Sequence, residues 1–365
     1  MKRRHFIYLA GMLPVALGIS ALPVIASDTP RSYEAADTDA AIAHIFYLAS
    51  LAPSSHNTQP WCLFRQASPL DWQLRLDKER CLPAVDPSNH EMLLSLGAFL
   101  ENMRLSAPIY GYEAQYALQP SEKLPIDIHF QKTNKAPIAK IDTIIQKRRT
   151  LRKDLQTIPL TPAEQTHILG SSDTLHFFPH GSAIAEQLAA LTRSANQKQS
   201  QRLDIQQELS HWIRWKHSQQ VQHADGLTPA TMEMGFPLKW LAQYFFSPED
   251  LLTPRFQQSS LALIETQIHE GAGWLIVQSP STQPRDLLHT GQCLEALWLR
   301  AASQEIALHP MLQAVEDSTC RQQLQELFPG KTISFLARLG HPPAYPAPVS
   351  YRRPLGKIIA KEPSP

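Results

Sequence analysis

Two short stretches of the chain carry residue types suited to holding a small polar molecule. The first is Ala52-Pro53-Ser54-Ser55-His56-Asn57-Thr58-Gln59-Pro60-Trp61, which sets hydroxyls, two carboxamides and rigid prolines side by side. Hydroxyls donate and accept, and each amide offers a carbonyl oxygen and an NH2, so the run suits hydrogen bonding to the rim of a planar heterocycle. Taken alone, it equally suits an N-capping turn. A serine nucleophile is poorly indicated, because neither Ser54 nor Ser55 sits in G-x-S-x-G. The second stretch, Arg148-Arg149-Thr150-Leu151-Arg152, combines planar guanidinium donors with a hydroxyl, a set suited to phosphate. Its plainer reading is a solvated basic face. With only 14 glycines and neither G-x-G-x-x-G nor G-x-x-x-x-G-K-[ST], the chain has no glycine-rich phosphate cradle, so side chains must supply the charge.

The elements around these stretches can be read from hydrophobic spacing. Ile42, Ile45, Phe46 and Ala49 recur at helical intervals, and Pro53 stops that helix before the first stretch. Trp61 to Phe64 and Trp72 to Leu76 read as two strands. A helix with Ser88 as N-cap then runs to about Ala107. Its pattern occurs twice: Gly97, Leu100, Glu101, Leu105 and Ala107 match Gly291, Leu294, Glu295, Leu299 and Ala301 as G-x-x-L-E-x-x-x-L-x-A. Coincidence between two amphipathic helices is the competing explanation. The apolar run Ala272 to Val277 before the second copy reads as a buried strand and favours duplication. The expected fold is α+β, with two related halves over 27–140 and 141–365, joined through the Pro-rich basic stretch 125–140. Between about 197 and 258 an inserted segment rich in Gln, His, Trp and Met, including Trp212, Trp215, Trp240, Tyr244, Phe245 and Phe246, reads as a packed lid.

Composition bounds the partners. Lys and Arg number 34 against 33 Asp and Glu, leaving no basic field to neutralise a nucleic-acid backbone. Residues 1–26 place Lys2, Arg3 and Arg4 before an apolar run ending at Ala26, the pattern of a removable leader. Arg3-Arg4-His5-Phe6-Ile7 resembles a twin-arginine export signal, which implies recognition by that export machinery and delivery to the periplasm. A Sec-type leader or an uncleaved membrane helix is the alternative. Cys62, Cys81, Cys293 and Cys320 show no C-x-x-C, and the histidines show no H-E-x-x-H, so a metal site is not indicated.

Pro53 to Trp61 resembles the P-S-S-x-N-x-Q-P-W signature of the nitroreductase family, and Arg148 to Arg152 resembles its R-R-[ST]-x-R motif. The arginines follow the loop here, whereas in simple members they precede it. That order is similar to the fused, two-half Acg-type branch, in which one chain resembles an intramolecular dimer. Glu208-Leu209 with Trp212 and Arg214, Asp225-Gly226, Arg338-Leu339-Gly340 and Arg352-Arg353-Pro354-Leu355 resemble further elements of that branch, with His341 in place of an aromatic. The resemblance implies one flavin mononucleotide (FMN). Pro53, Ser54, Ser55, Asn57 and Gln59 would contact the flavin, and Arg148, Arg149, Thr150 and Arg152 its phosphate. Arg352 or Arg353 would add a phosphate contact, while Pro310 and Met311 would lie beside the reactive edge. No side chain is expected to be catalytic, because flavin chemistry belongs to the cofactor. The implied activity is two-electron reduction of nitroaromatic, quinone-like or related small acceptors, with NAD(P)H or another donor, by a monomer or homodimer. A non-enzymatic FMN-binding or storage protein is the alternative.

Overall fold

In the computed structural model of the chain, residues 40–119 and 124–360 are described. The leader lies outside the described residues. Helix α1 (Ala40–Ser50) buries Ile42, Ile45, Phe46 and Ala49, the stripe its spacing predicts. After the loop, strands β1 (Trp61–Arg65) and β2 (Asp71–Leu76) pair antiparallel. Helix α2 (His90–Ser106) follows, then β3 (Tyr112–Leu118) and β4 (Ile126–Lys132). The expected N-cap at Ser88 is replaced: the Asp86 carboxylate accepts from the N–H groups of His90 (2.7 Å), Glu91 (2.9 Å) and Met92 (3.2 Å), satisfying the donors of the first turn. Strand β4 also takes up part of the stretch 125–140 read as a connector. Ile126, Ile128 and Phe130 are buried there on alternate positions, the period of a half-covered strand.

The chain continues through α3 (Ile141–Lys147), α4 (Pro162–Leu169) and β5 (Leu175–Pro179). Five helices separate β5 from the next strand: α5 (Ala183–Gln201), α6 (Leu203–His211), α7 (His217–His223), α8 (Leu238–Phe245) and α9 (Pro254–Gln267). Then come β6 (Gly273–Ser279), α10 (Pro284–Ser303), β7 (Ala307–Pro310), α11 (Gln313–Glu316) and α12 (Ser318–Leu327). Strand β8 (Thr332–Gly340), α13 (Leu355–Ile358) and β9 (Ile359–Ala360) end the described chain.

The duplication is visible in the sheets. One has the order β3-β4-β2-β1-β9 and the other β7-β8-β6-β5. Matching β1 to β5, β2 to β6, β3 to β7 and β4 to β8 makes the two orders identical, apart from β9, and every matched pairing is antiparallel. In each half the long helix, α2 or α10, connects the second strand to the third. The two helices meet at their repeated glycines. A Cβ on Gly97 would overlap the Leu288 carbonyl, and a Cβ on Gly291 would overlap the Leu94 carbonyl. Those pairs are reciprocal, with the same spacing of three residues between Leu94 and Gly97 as between Leu288 and Gly291. This is the self-complementary pattern of a two-fold contact, here within one chain. The C-terminal tail then crosses back, and β9 pairs parallel with β1.

The segment expected to be a lid is only partly packed. Trp212 is buried with Leu82, Val85 and Met92, and Trp215 is buried with Ile213, Ala242 and Leu251, with Phe246 against them. Trp240, Tyr244 and Phe245 are exposed instead, because α8 turns Ala242 inward and these three outward. Among the described residues, no helix is long and apolar enough to cross a membrane. The four cysteines carry free thiols.

Candidate functional site

The loop after α1 is bent by three non-glycine residues of positive φ, His56 (50°), Asn57 (55°) and Gln59 (54°). Such backbone is sparsely populated and persists only where neighbours over-determine it. Here they do. The Asn57 N–H donates to Ser54 O (2.9 Å), the Thr58 N–H to Ser55 O (3.0 Å) and the Gln59 N–H to Ser54 Oγ (3.0 Å). The Asn57 amide donates to the carbonyls of Gly226 (3.1 Å) and Tyr351 (3.2 Å), and its oxygen accepts from Arg352 Nη1 (2.7 Å). Gln59 donates to Ala224 O (2.9 Å) and accepts from the Arg353 N–H (2.8 Å). The two carboxamides therefore fasten the loop to the inserted segment and to the C-terminal tail.

The arginine stretch arrives from α3. Arg148 is buried, donates to Leu51 O (2.6 Å), lies 3.2 Å from Glu295 Oε1 and stacks 4.9 Å over the Trp298 ring. Arg149 donates to Ala347 O (2.6 Å) and Arg152 to Thr231 O (2.6 Å). Thr150 bridges Leu308 in parallel, which lays this stretch along β7. Glu233, itself at φ 54°, accepts from Arg149 Nη2 (3.4 Å) and from the backbone N–H of Arg152 (2.8 Å) and Lys153 (3.0 Å).

Loop, arginines and tail enclose a cleft of about 750 Å³, part of it open to solvent, with Pro53, Ser54, His56, Asn57, Arg148, Arg149, Thr150, Arg152 and Arg352 among its lining residues. Ser55, Gln59, Pro310, Met311 and Arg353 do not line it. Ser55 turns to Glu91, Met311 is buried in the core beneath the second sheet, and Pro310 pairs with Ala337 in β7. Arg353 donates to the carbonyls of Gln59 (3.1 Å) and Lys357, bracing the loop from behind.

Four guanidinium groups thus face a cleft whose anionic neighbours are Glu233 and Glu295. Burial, and then the Arg148 charge, lower Arg352 to about 9. Burial also lowers Arg149 and Arg152, against the opposing pull of Glu233. Burial pushes Glu295 up to about 7, opposed by Arg148. The Nε atoms of Arg149 and Arg352 are buried with no hydrogen-bond partner. Unpaired buried donors in a cationic cleft are costly until an anion occupies it, so the donor set fits a phosphate. The hydroxyls of Ser54 and Thr150 and the half-buried His56 imidazole fit the polar remainder of such a cofactor.

His56 was absent from the sequence-derived site because it fills the variable position of the loop. Burial, then Arg152, lower it to about 4, so the ring is neutral near pH 7, and its Nδ1 has no partner. Glu295 was also missed, although it sits at the glutamate of the repeated helix pattern; only the fold brings it under Arg148.

No family model matches the chain. Curated relatives do align along most of it. A probable NAD(P)H nitroreductase, PigM, of Serratia sp. is 24% identical over 305 residues, covering 78% of this chain and 84% of the relative. A putative NAD(P)H nitroreductase, acg, of Mycobacterium tuberculosis is 23% identical over 328 residues, covering 86% and 93%. Among solved structures, the FMN-dependent nitroreductase NfnB of Mycobacterium smegmatis in complex with NADPH superposes with a TM-score of 0.36 at 10% identity, over 55% of this chain and 87% of that one. A nitroreductase with bound FMN from Bacteroides fragilis superposes with a TM-score of 0.32 at 14% identity, over 58% and 92%. Over most of its length, and at low identity, the chain is similar to nitroreductase-family proteins of the PigM and Acg kind.

Proposed function

We propose that the cleft binds FMN and that the chain is an NAD(P)H-linked oxidoreductase of the nitroreductase type, reducing a nitroaromatic, quinone-like or related small acceptor. The observation that carries this reading is the convergence of Arg148, Arg149, Arg152 and Arg352 on one cleft beside the Pro53 to Asn57 loop, with buried Nε donors left unpaired. The relatives named as NAD(P)H nitroreductases support it. Bound FMN would supply the two-electron chemistry. The protein's own part is to hold the phosphate with guanidinium groups, orient the ring with the strained loop, and limit water with the inserted segment. The alternative, FMN storage, is favoured by one feature: the inserted segment is bonded directly to the loop through Asn57 to Gly226 and Gln59 to Ala224.

A visible spectrum of purified protein, followed by anaerobic NADPH addition and then a quinone or nitroaromatic, tests both readings. Flavin absorbance that bleaches and returns supports the enzyme. Flavin that neither NADPH nor the acceptors alter would leave storage, and no retention of added FMN would sink both.

The leader extends the proposal to export through the twin-arginine pathway into the periplasm, on the strength of Arg3-Arg4 before Phe6. Replacing both arginines by lysine should hold a folded precursor in the cytoplasm. Undiminished delivery on fractionation would point to a Sec-type leader.

A further inference from the structure

The repeated helix pattern places one glutamate in each half, Glu101 on α2 and Glu295 on α10, and the fold gives them different surroundings. Glu101 pairs within its own helix with Arg104, at 2.7 Å. Glu295 is fully buried beneath Arg148, a residue that lines the cofactor cleft, and its Oε1 lies 3.2 Å from Arg148 Nε. Neither Glu295 oxygen nor Arg148 Nε has an aligned hydrogen bond, so charge holds this pair together. A second guanidinium shares the place: Arg148 Nη2 and Arg352 Nη2 both donate to the Leu51 carbonyl, at 2.6 and 3.2 Å. Two buried cations that meet at one carbonyl repel each other, and a buried carboxylate beside them offsets that repulsion.

We propose that Glu295 is the counter-ion of Arg148 and Arg352 in the ligand-free protein, and that it takes up a proton when a phosphate dianion replaces it as their partner. The inference rests on the reading of the cleft as the site of a phosphate-bearing cofactor. Before binding, the carboxylate keeps the two guanidinium groups together at the place where the phosphate arrives. After binding, the guanidinium charge is matched by the phosphate, and a second anion faces a carboxylate that no aligned hydrogen bond supports. Like charge and burial both disfavour the ionised form there. The proton comes from solvent and joins a Glu295 oxygen; no other bond forms or breaks, and no electrons move.

The surroundings of Glu295 set the pH range. Burial holds it at about 7, against the pull of Arg148, so the ligand-free protein carries it ionised above neutrality. The other groups facing it are Asn102 and Glu101, from α2, and Arg352, from the tail, with Tyr47 of α1 facing Arg352 in turn. A bound phosphate raises Glu295 further. Protons are then taken up between the two values, and affinity must fall as pH rises through about 7. A second cavity, of about 1140 Å³ and partly open to solvent, lies at the N-terminal end of α2. Its lining carries Asp86, Glu91 and Glu316 with a single arginine, Arg321, so the arginine cleft is the better place for an anion.

Glu295→Gln keeps the shape of the protonated acid and cannot titrate. Calorimetric titration of the flavin-free full chain with FMN at about pH 8, in two buffers of different ionisation enthalpy, counts the protons. Uptake should approach about one per FMN in the wild type and about zero in Glu295→Gln. Riboflavin, which lacks the phosphate, should bind without uptake. Relative to Glu295→Gln, wild-type affinity for FMN should fall about tenfold between about pH 6 and about pH 8. That ratio cancels the titration of the FMN phosphate itself, whose second pKa is about 6. Infrared difference spectra with sulfate, an anion that does not titrate in this range, should show a protonated carboxyl band that rises on binding in the wild type and is absent from Glu295→Gln. Arg148→Gln, which removes the partner instead of the acid, should show the band before sulfate is added. A wild type that binds FMN without proton uptake, or uptake that survives in Glu295→Gln, would overturn the assignment and leave Glu295 a packing residue. A band that sulfate raises in a protein that retains no FMN would instead keep the counter-ion and overturn the cofactor reading.

Discussion

Arg352 lies at the end of the longest reach in the site, from the tail to Asn57 at 2.7 Å and to Leu51 O at 3.2 Å, with its Nε free in the cleft wall. If that group meets a phosphate, its loss removes a charge-assisted contact of about 1.5–3 kcal/mol. Arg352→Ala should therefore weaken FMN retention about tenfold to hundredfold in a dialysis titration, and retention equal to wild type would remove Arg352 from the site. His56 supplies a pH signature. Its folded value of about 4 lies below the ordinary 6.5, so the unfolded chain binds more protons between those values. Stability must fall as pH drops from about 6.5 toward 4. Asparagine tolerates the same left-handed backbone without titrating. Denaturant midpoints across that window should therefore fall less steeply in His56→Asn, with a difference of ~3 kcal/mol at the acid end; parallel curves would show that His56 protonates as freely as it does unfolded. The arginines were legible from the sequence because their chemistry resides in residue type. The bracing roles of Gln59 and Arg353 were not, because their partners are hundreds of residues apart and only the tail's return brings them together.

At the level of elements, the repeated helix pattern was the most informative signal in the chain, and its glycines show why. Each sits where the backbone of the other helix passes too closely for a Cβ, so the pattern records a close helix crossing as well as an apolar stripe. Gly97→Ala and Gly291→Ala must each push the helices apart, with a cost of about 1–3 kcal/mol. Similar losses of thermal stability are expected from the two substitutions because the contact is reciprocal. A neutral result for either would mean that the crossing is looser than the carbonyl contacts imply. Strand β4 was missed because Pro125 and the lysines around it masked a clear alternation at Ile126, Ile128 and Phe130. The exposed aromatics of α8 were misplaced for the opposite reason: aromatic content alone does not say which way a helix turns.

The whole molecule repeats its sheet order, yet the two halves do not repeat the site. The loop from Pro53 to Pro60 precedes β1, and the matching position before β5 is 170–174, a short exposed turn in which Ser172 and Thr174 bond to each other. It has no asparagine, glutamine or proline to hold a strained loop. The arginine stretch follows the first half once, and the second cavity is lined by carboxylates with Arg321 as its one arginine among the described residues. A symmetric dimer of separate halves would carry two equal sites, since each operator-related surface must recur. Within one chain the halves are free to diverge, and these have: one cleft is cationic and the other acidic. The expected stoichiometry is one FMN per chain, whatever the number of chains in the assembly. Flavin absorbance after denaturation, set against protein concentration from quantitative amino-acid analysis, checks this on protein saturated with FMN. A ratio of two would show that the second cavity also takes a flavin, which its carboxylates should repel through the phosphate. A ratio of one half would mean that a site forms only across two chains, and the fused arrangement of loop and arginines would then have to be abandoned.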